Sequence, residues 1–112
     1  MTDIRIYPAQ GKWTVRADGG VIAESTNALE VTKGDGPFVI YFPREDVAMA
    51  FLDPSDMRST CPIRGEAVFY HITSPGVQQN DAAYSYESAT GTMAQLNGLL
   101  AFDAGKVTVE RL

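Results

Sequence analysis

A chain of 112 residues with 45% hydrophobic content can bury a core without metal or disulfide staples. Its net charge of -5 and its scattered basic residues argue against a nucleic-acid binder, which needs clustered Lys and Arg against phosphates. No apolar run approaches the roughly 20 residues of a membrane span, and Met1-Thr2-Asp3-Ile4-Arg5 lacks the basic head and apolar stretch of a leader. The expectation is one domain over residues 1–112, cytoplasmic and off the membrane. The single cysteine, Cys61, excludes a disulfide within the chain and fits a reducing compartment.

In chain order, Trp13 to Ala17 alternates, Asp18-Gly19-Gly20 supplies the turn of a tight hairpin, and Val21 to Glu24 resumes the extended pattern. A second strand pair, Ala28 to Thr32 and Phe38 to Phe42, brackets Gly34-Asp35-Gly36-Pro37. Its second member is apolar throughout, which predicts a central strand covered on both faces. Pro43 opens a short helix with Glu45 and Asp46 in its first turn and Val47, Met49, Ala50 and Phe51 on one face, stopping before Pro54. From Pro54 to Gly65 the Pro, Ser, Thr and Gly content reads as loop. Ala67 to Ile72 is a strand, Ser74-Pro75-Gly76 a turn, and Ala82 to Tyr86 a short strand. Thr92 to Asn97 makes one or two helical turns ended by Gly98. Leu99 to Phe102 and Lys106 to Glu110 then read as a final pair around Asp103-Ala104-Gly105. The sum is a mainly β fold of antiparallel strands with one or two short helices.

The blocks Tyr41-Phe42-Pro43-Arg44-Glu45-Asp46-Val47, Pro54-Ser55-Asp56, Thr60-Cys61-Pro62-Ile63-Arg64-Gly65 and Asp81-Ala82-Ala83-Tyr84-Ser85-Tyr86 follow one another in this order. In these blocks, continued by Gly19 to Ser25 and by Ala101-Phe102 with Lys106-Val107, the chain resembles the bacterial domain of unknown function family 427 over roughly residues 13–109. The resemblance implies a β-tent, in which antiparallel sheets splay apart over a pocket, and it implies no particular reaction. This chain departs from the family pattern at Ile63, Arg64 and Tyr84 and at the turn Asp103-Ala104-Gly105, which implies a pocket of different size. The family also carries a nucleotidyltransferase label. The sequence gives that label no support, because no Gly-rich phosphate loop occurs and Asp53 and Asp56 are split by Pro54-Ser55 in a turn.

The candidate site residues are polar and aromatic groups in or beside the loops. Arg44 and Arg64 can clamp a carboxylate or phosphate, with Tyr41, Tyr84 and Tyr86 as pocket walls, so a small anionic or carbonyl ligand is the expected partner. The plainer reading pairs the arginines with Glu45, Asp46 or Asp56, and makes Glu87 either such a partner or a solvated carboxylate. Cys61 with Arg64 nearby is a candidate catalytic nucleophile, with His71 or Glu87 moving protons. Its plainer reading is a small buried hydrophobe, and that of His71 is a packed or hydrogen-bonded strand residue. One Cys and one His cannot supply the four ligands of a structural zinc site, so no metal or other cofactor is expected. Three functions follow: a small-molecule-binding domain, an enzyme built on Cys61, and a non-catalytic interaction module.

Overall fold

The computed structural model describes residues 4–17, 20–34, 36–61, 65–74 and 76–112. Its strands are β1 (Ile4–Pro8), β2 (Trp13–Ala17), β3 (Gly20–Ser25), β4 (Leu29–Lys33), β5 (Val39–Phe42), β6 (Leu52–Cys61), β7 (Gly65–Ser74), β8 (Val77–Tyr86), β9 (Leu100–Phe102) and β10 (Thr108–Arg111). They form a seven-stranded sheet in the order β1-β4-β5-β9-β8-β7-β6 and a three-stranded sheet in the order β10-β2-β3. Neighbouring strands run antiparallel throughout, so the fold is mainly β.

Alternation along β5 explains the layering, because successive side chains leave opposite faces of a strand. Ile40 and Phe42 point to the small sheet and join a core with Trp13, Val15, Ile22, Val47, Leu100 and Phe102. Val39 and Tyr41 point the other way, into a second core. That core is closed by a 3-10 segment, Gly91–Leu96, whose Met93 and Leu96 are buried. A strand with both faces covered loses its polar positions, which is why Val39-Ile40-Tyr41-Phe42 reads as a continuous apolar run.

Three expectations are corrected. The helix after Pro43 is two 3-10 turns, Arg44–Asp46 and Met49–Phe51. Between them Val47 is drawn into a bridge with Ala23, and the Ala48 N–H donates to the Ile22 carbonyl at 2.8 Å. Pairing to the edge of β3 therefore overrides local helix propensity. The stretch after Pro54 belongs to β6, an edge strand paired only with β7, where Pro54 needs no donor on the solvent side and an apolar period is not required. The last two strands do not pair with each other. After the turn Asp103–Lys106, closed by the Lys106 N–H on the Asp103 carbonyl at 2.9 Å, the chain leaves β9 in the large sheet and enters β10 in the small one.

Candidate functional site

The large sheet is stitched together by its shortest strand. On one side Tyr41 and Phe42 of β5 pair with Ala101 and Leu100, and on the other Ala83 and Tyr84 of β8 pair with Phe102 and Ala101. A last rung, the Asp103 N–H on the Ala82 carbonyl at 2.8 Å, ends the seam. The start of β5 runs on beyond that point with no strand between it and β8. A cavity of about 610 Å³ opens there.

Its wall is aromatic and aliphatic: Trp13 and Val109 from the small sheet, Pro37, Phe38, Val39 and Ile40 at the start of β5, Phe69 and Tyr84 on β7 and β8, and Phe102 with Ala104. Trp13 is held by its indole N–H on the Gln10 carbonyl at 3.0 Å, and its ring meets Phe38 edge-on at 5.8 Å. Phe38 is 50% exposed, which places an apolar ring at the mouth. Two carboxylates, Asp81 and Asp103, are the acidic members of the lining.

The expected site residues divide between this cavity and the opposite end of β8. Tyr84 lines the cavity, with its ring 5.6 Å from Phe69, 6.3 Å from Tyr41 and 6.1 Å from Tyr86. Tyr41 is fully buried and Tyr86 nearly so, within the core that the 3-10 segment closes. His71 sits at the cavity end, where its Nδ1 accepts the Asp81 N–H at 3.1 Å. Arg44 and Glu87 lie at the other end. The Arg44 guanidinium donates from Nη2 to the Glu87 carboxylate at 3.1 Å and from Nε to the Gly98 carbonyl at 3.1 Å, with its charge 6.0 Å from the Tyr70 ring centre. Cys61 pairs with Gly65 at that same end, and its side chain lies outside the described residues, as does Arg64 entirely. Since Asp53 pairs with His71 while Cys61 pairs with Gly65, the register puts Cys61 and His71 six residues apart along β7, a span of about 20 Å. That separation keeps His71 out of reach of the cysteine.

Trp13, Phe38, Phe102, Asp81 and Asp103 were missing from the expected site. Aromatic side chains that line a cavity have the same sequence pattern as those that fill a core. The departure from the family pattern at Asp103-Ala104-Gly105 was the one signal, and two of those residues do line the cavity. Among the described residues no group of three His, Cys, Asp or Glu side chains gathers as a metal site requires. No helix among them is long and apolar enough to cross a membrane.

No curated protein matches the chain. The family described as a domain of unknown function, DUF427, matches it over residues 5–112, so the chain belongs to the DUF427 family, whose short name carries the nucleotidyltransferase label.

Proposed function

We propose that the chain is a small-molecule-binding domain whose ligand sits in the cavity at the open end of the β5–β9–β8 seam. The observation that carries this reading is an apolar cavity of about 610 Å³ with a few polar groups at its edge, within the roughly 300–1,000 Å³ range usual for ligand pockets. The sequence predicts an anionic or carbonyl ligand, with Arg44 and Arg64 as its clamp. Arg44 is engaged with Glu87 and Gly98 at the opposite end of β8, which supports placing the ligand away from it, against aromatic rings and carboxylates.

The test uses the single tryptophan of the chain. Trp13 gives one indole N–H signal in a nitrogen–proton spectrum, and that indole borders the cavity. Apolar fragments titrated into the protein are expected to move this signal saturably. Ala104→Phe, on an exposed turn at the lining, is expected to weaken or abolish the shift while leaving the melting temperature within a few degrees. If no fragment moves the indole signal or raises the melting temperature, the binding reading is wrong.

A further inference from the structure

We infer that the cavity selects an organic cation, an ammonium-type group on an apolar frame, an inference that rests on the binding reading above. Two independent features of the wall point to it. Aromatic faces carry negative potential and attract cations placed over them, and Trp13, Phe38, Phe69, Tyr84 and Phe102 bring five rings to the lining. The carboxylates of that lining are Asp81 and Asp103, with no Lys or Arg among the described lining residues.

Asp81 is set in place by the fold. Tyr70 of β7 pairs with Ala83 of β8, but Ile72 pairs with Gln79, so three residues of β8 lie opposite His71 alone. Asp81 occupies the middle of this bulge at φ 53, a left-handed conformation that is costly for a non-glycine residue and typical of functional positions. Its Oδ1 accepts the hydroxyl of Ser55, which is 6% exposed. Its N–H donates to His71 Nδ1, which lies 3.8 Å from the same carboxylate. Through this bond His71 holds the Asp81 backbone in the bulge.

Asp103 faces the mouth from the turn after β9, its Oδ1 accepting the Gly105 N–H at 2.8 Å. Lys106, three residues on, sends its ammonium to the Asn80 carbonyl at 2.7 Å and makes no ion pair within 4 Å with either carboxylate among the described residues. The Lys106 ammonium is thus bonded to a backbone oxygen, and the two lining carboxylates carry no lysine or arginine partner among the described residues.

The experiment compares three probes on one frame: 3-phenylpropylammonium, 3-phenylpropanol and 3-phenylpropanoate, followed by the Trp13 indole signal and by calorimetry. The ammonium is expected to bind about tenfold tighter than the alcohol, and the carboxylate weakest. That advantage should shrink as salt is raised. Asp81→Asn and Asp103→Asn together should remove it while alcohol binding persists. Asn keeps the acceptors for Ser55 and Gly105 and tolerates the left-handed backbone, so the variant is suited to fold. Glu45→Gln, a charge removed from an exposed turn far from the cavity, should leave the ratio unchanged. Equal binding of ammonium and alcohol, or preference for the carboxylate, overturns the inference and leaves the binding reading standing. Failure of all three probes, together with the fragment panel, removes both.

Discussion

Tyr41 and Tyr84 sit on strands that never pair, yet their rings meet edge to face at 6.3 Å. Both are register partners of Ala101, one from each side, so the two rings close over a methyl group. Ala101 is fully buried. Enlarging it must push the rings apart or shift the seam, and overpacking of this kind costs about 1–3 kcal/mol. Ala101→Leu is therefore expected to lower the urea midpoint and to weaken the near-ultraviolet tyrosine signal. A variant with wild-type midpoint and spectrum would mean that the rings do not meet in solution.

The bulge at Asp81 predicts a graded response. Asp81→Ala leaves a residue poorly suited to φ 53 and strips the buried Ser55 hydroxyl of its acceptor, a loss of about 2–3 kcal/mol in unfolding free energy. Asp81→Asn retains an acceptor and a residue type at home in that region, and should cost less than about 1 kcal/mol. Chemical denaturation of the two variants side by side checks the order. If they are equally stable, the bulge is not held through Ser55.

Thr14 gives a prediction of opposite sign. It lies mid-row on the small sheet with Glu24 and Glu110 as register partners, flanked by the pairs Lys12–Glu24 at 3.2 Å and Arg16–Glu110. It is 3% exposed, and its hydroxyl has no partner among the described residues. A buried donor left unmade costs free energy, and replacing it with a methyl of the same shape avoids that cost. Thr14→Val is expected to be neutral or to stabilise by up to about 1 kcal/mol, read as a raised melting midpoint. A clear loss of stability would mean that the hydroxyl is bonded in solution.

Alkaline pH should act on the outer edge of the large sheet. The Tyr7 hydroxyl donates to the Glu30 carboxylate at 2.6 Å, and this bond to an anion holds the phenol above its ordinary value of 10.0. The folded state keeps the proton more tightly than the unfolded state. The bond's contribution is therefore complete below pH about 10 and is lost as pH rises through the elevated folded value. Carbon-labelled tyrosine followed by nuclear magnetic resonance should show Tyr7 titrating above 10, and Glu30→Gln should bring it down. An unchanged Tyr7 curve in that variant would assign the elevation to something other than Glu30.

What the sequence made legible was local. The β2–β3 and β4–β5 hairpins follow from turns rich in Gly with extended runs on either side, and β5 declares its burial by lacking polar positions. Pairing partners far apart in the chain were less readable. β9 and β10 look like a hairpin because only the sheet to which each belongs distinguishes them, and β6 hides because an edge strand keeps a polar composition. The same distance limit split the expected site. Arg44 and Glu87, 43 residues apart, do come together, whereas the cavity lining draws on Trp13 and Val109 of the small sheet, which no local pattern links to β5 or β8. Trp13 and Phe38 could not be singled out because an aromatic beside a void and one inside a core share the same surroundings in sequence.

The three-residue seam also bears on the order in which the protein assembles. β6, β7 and β8 form a continuous meander from residue 52 to residue 86, and their pairings are local in the chain, whereas β5 and β9 meet only after a loop from Phe42 to Leu100 has closed. Local pairings are gained at small entropic cost and long closures at larger cost. The meander is then expected to form before the seam, with the β1-β4-β5 half docking last through Leu100–Phe102. In kinetic terms, Ala101→Gly should speed unfolding and barely slow folding, while Ala67→Gly, whose register partners Ser59 and Tyr86 both lie within the meander, should slow folding. The cavity at the end of the seam would come into being only at that final step.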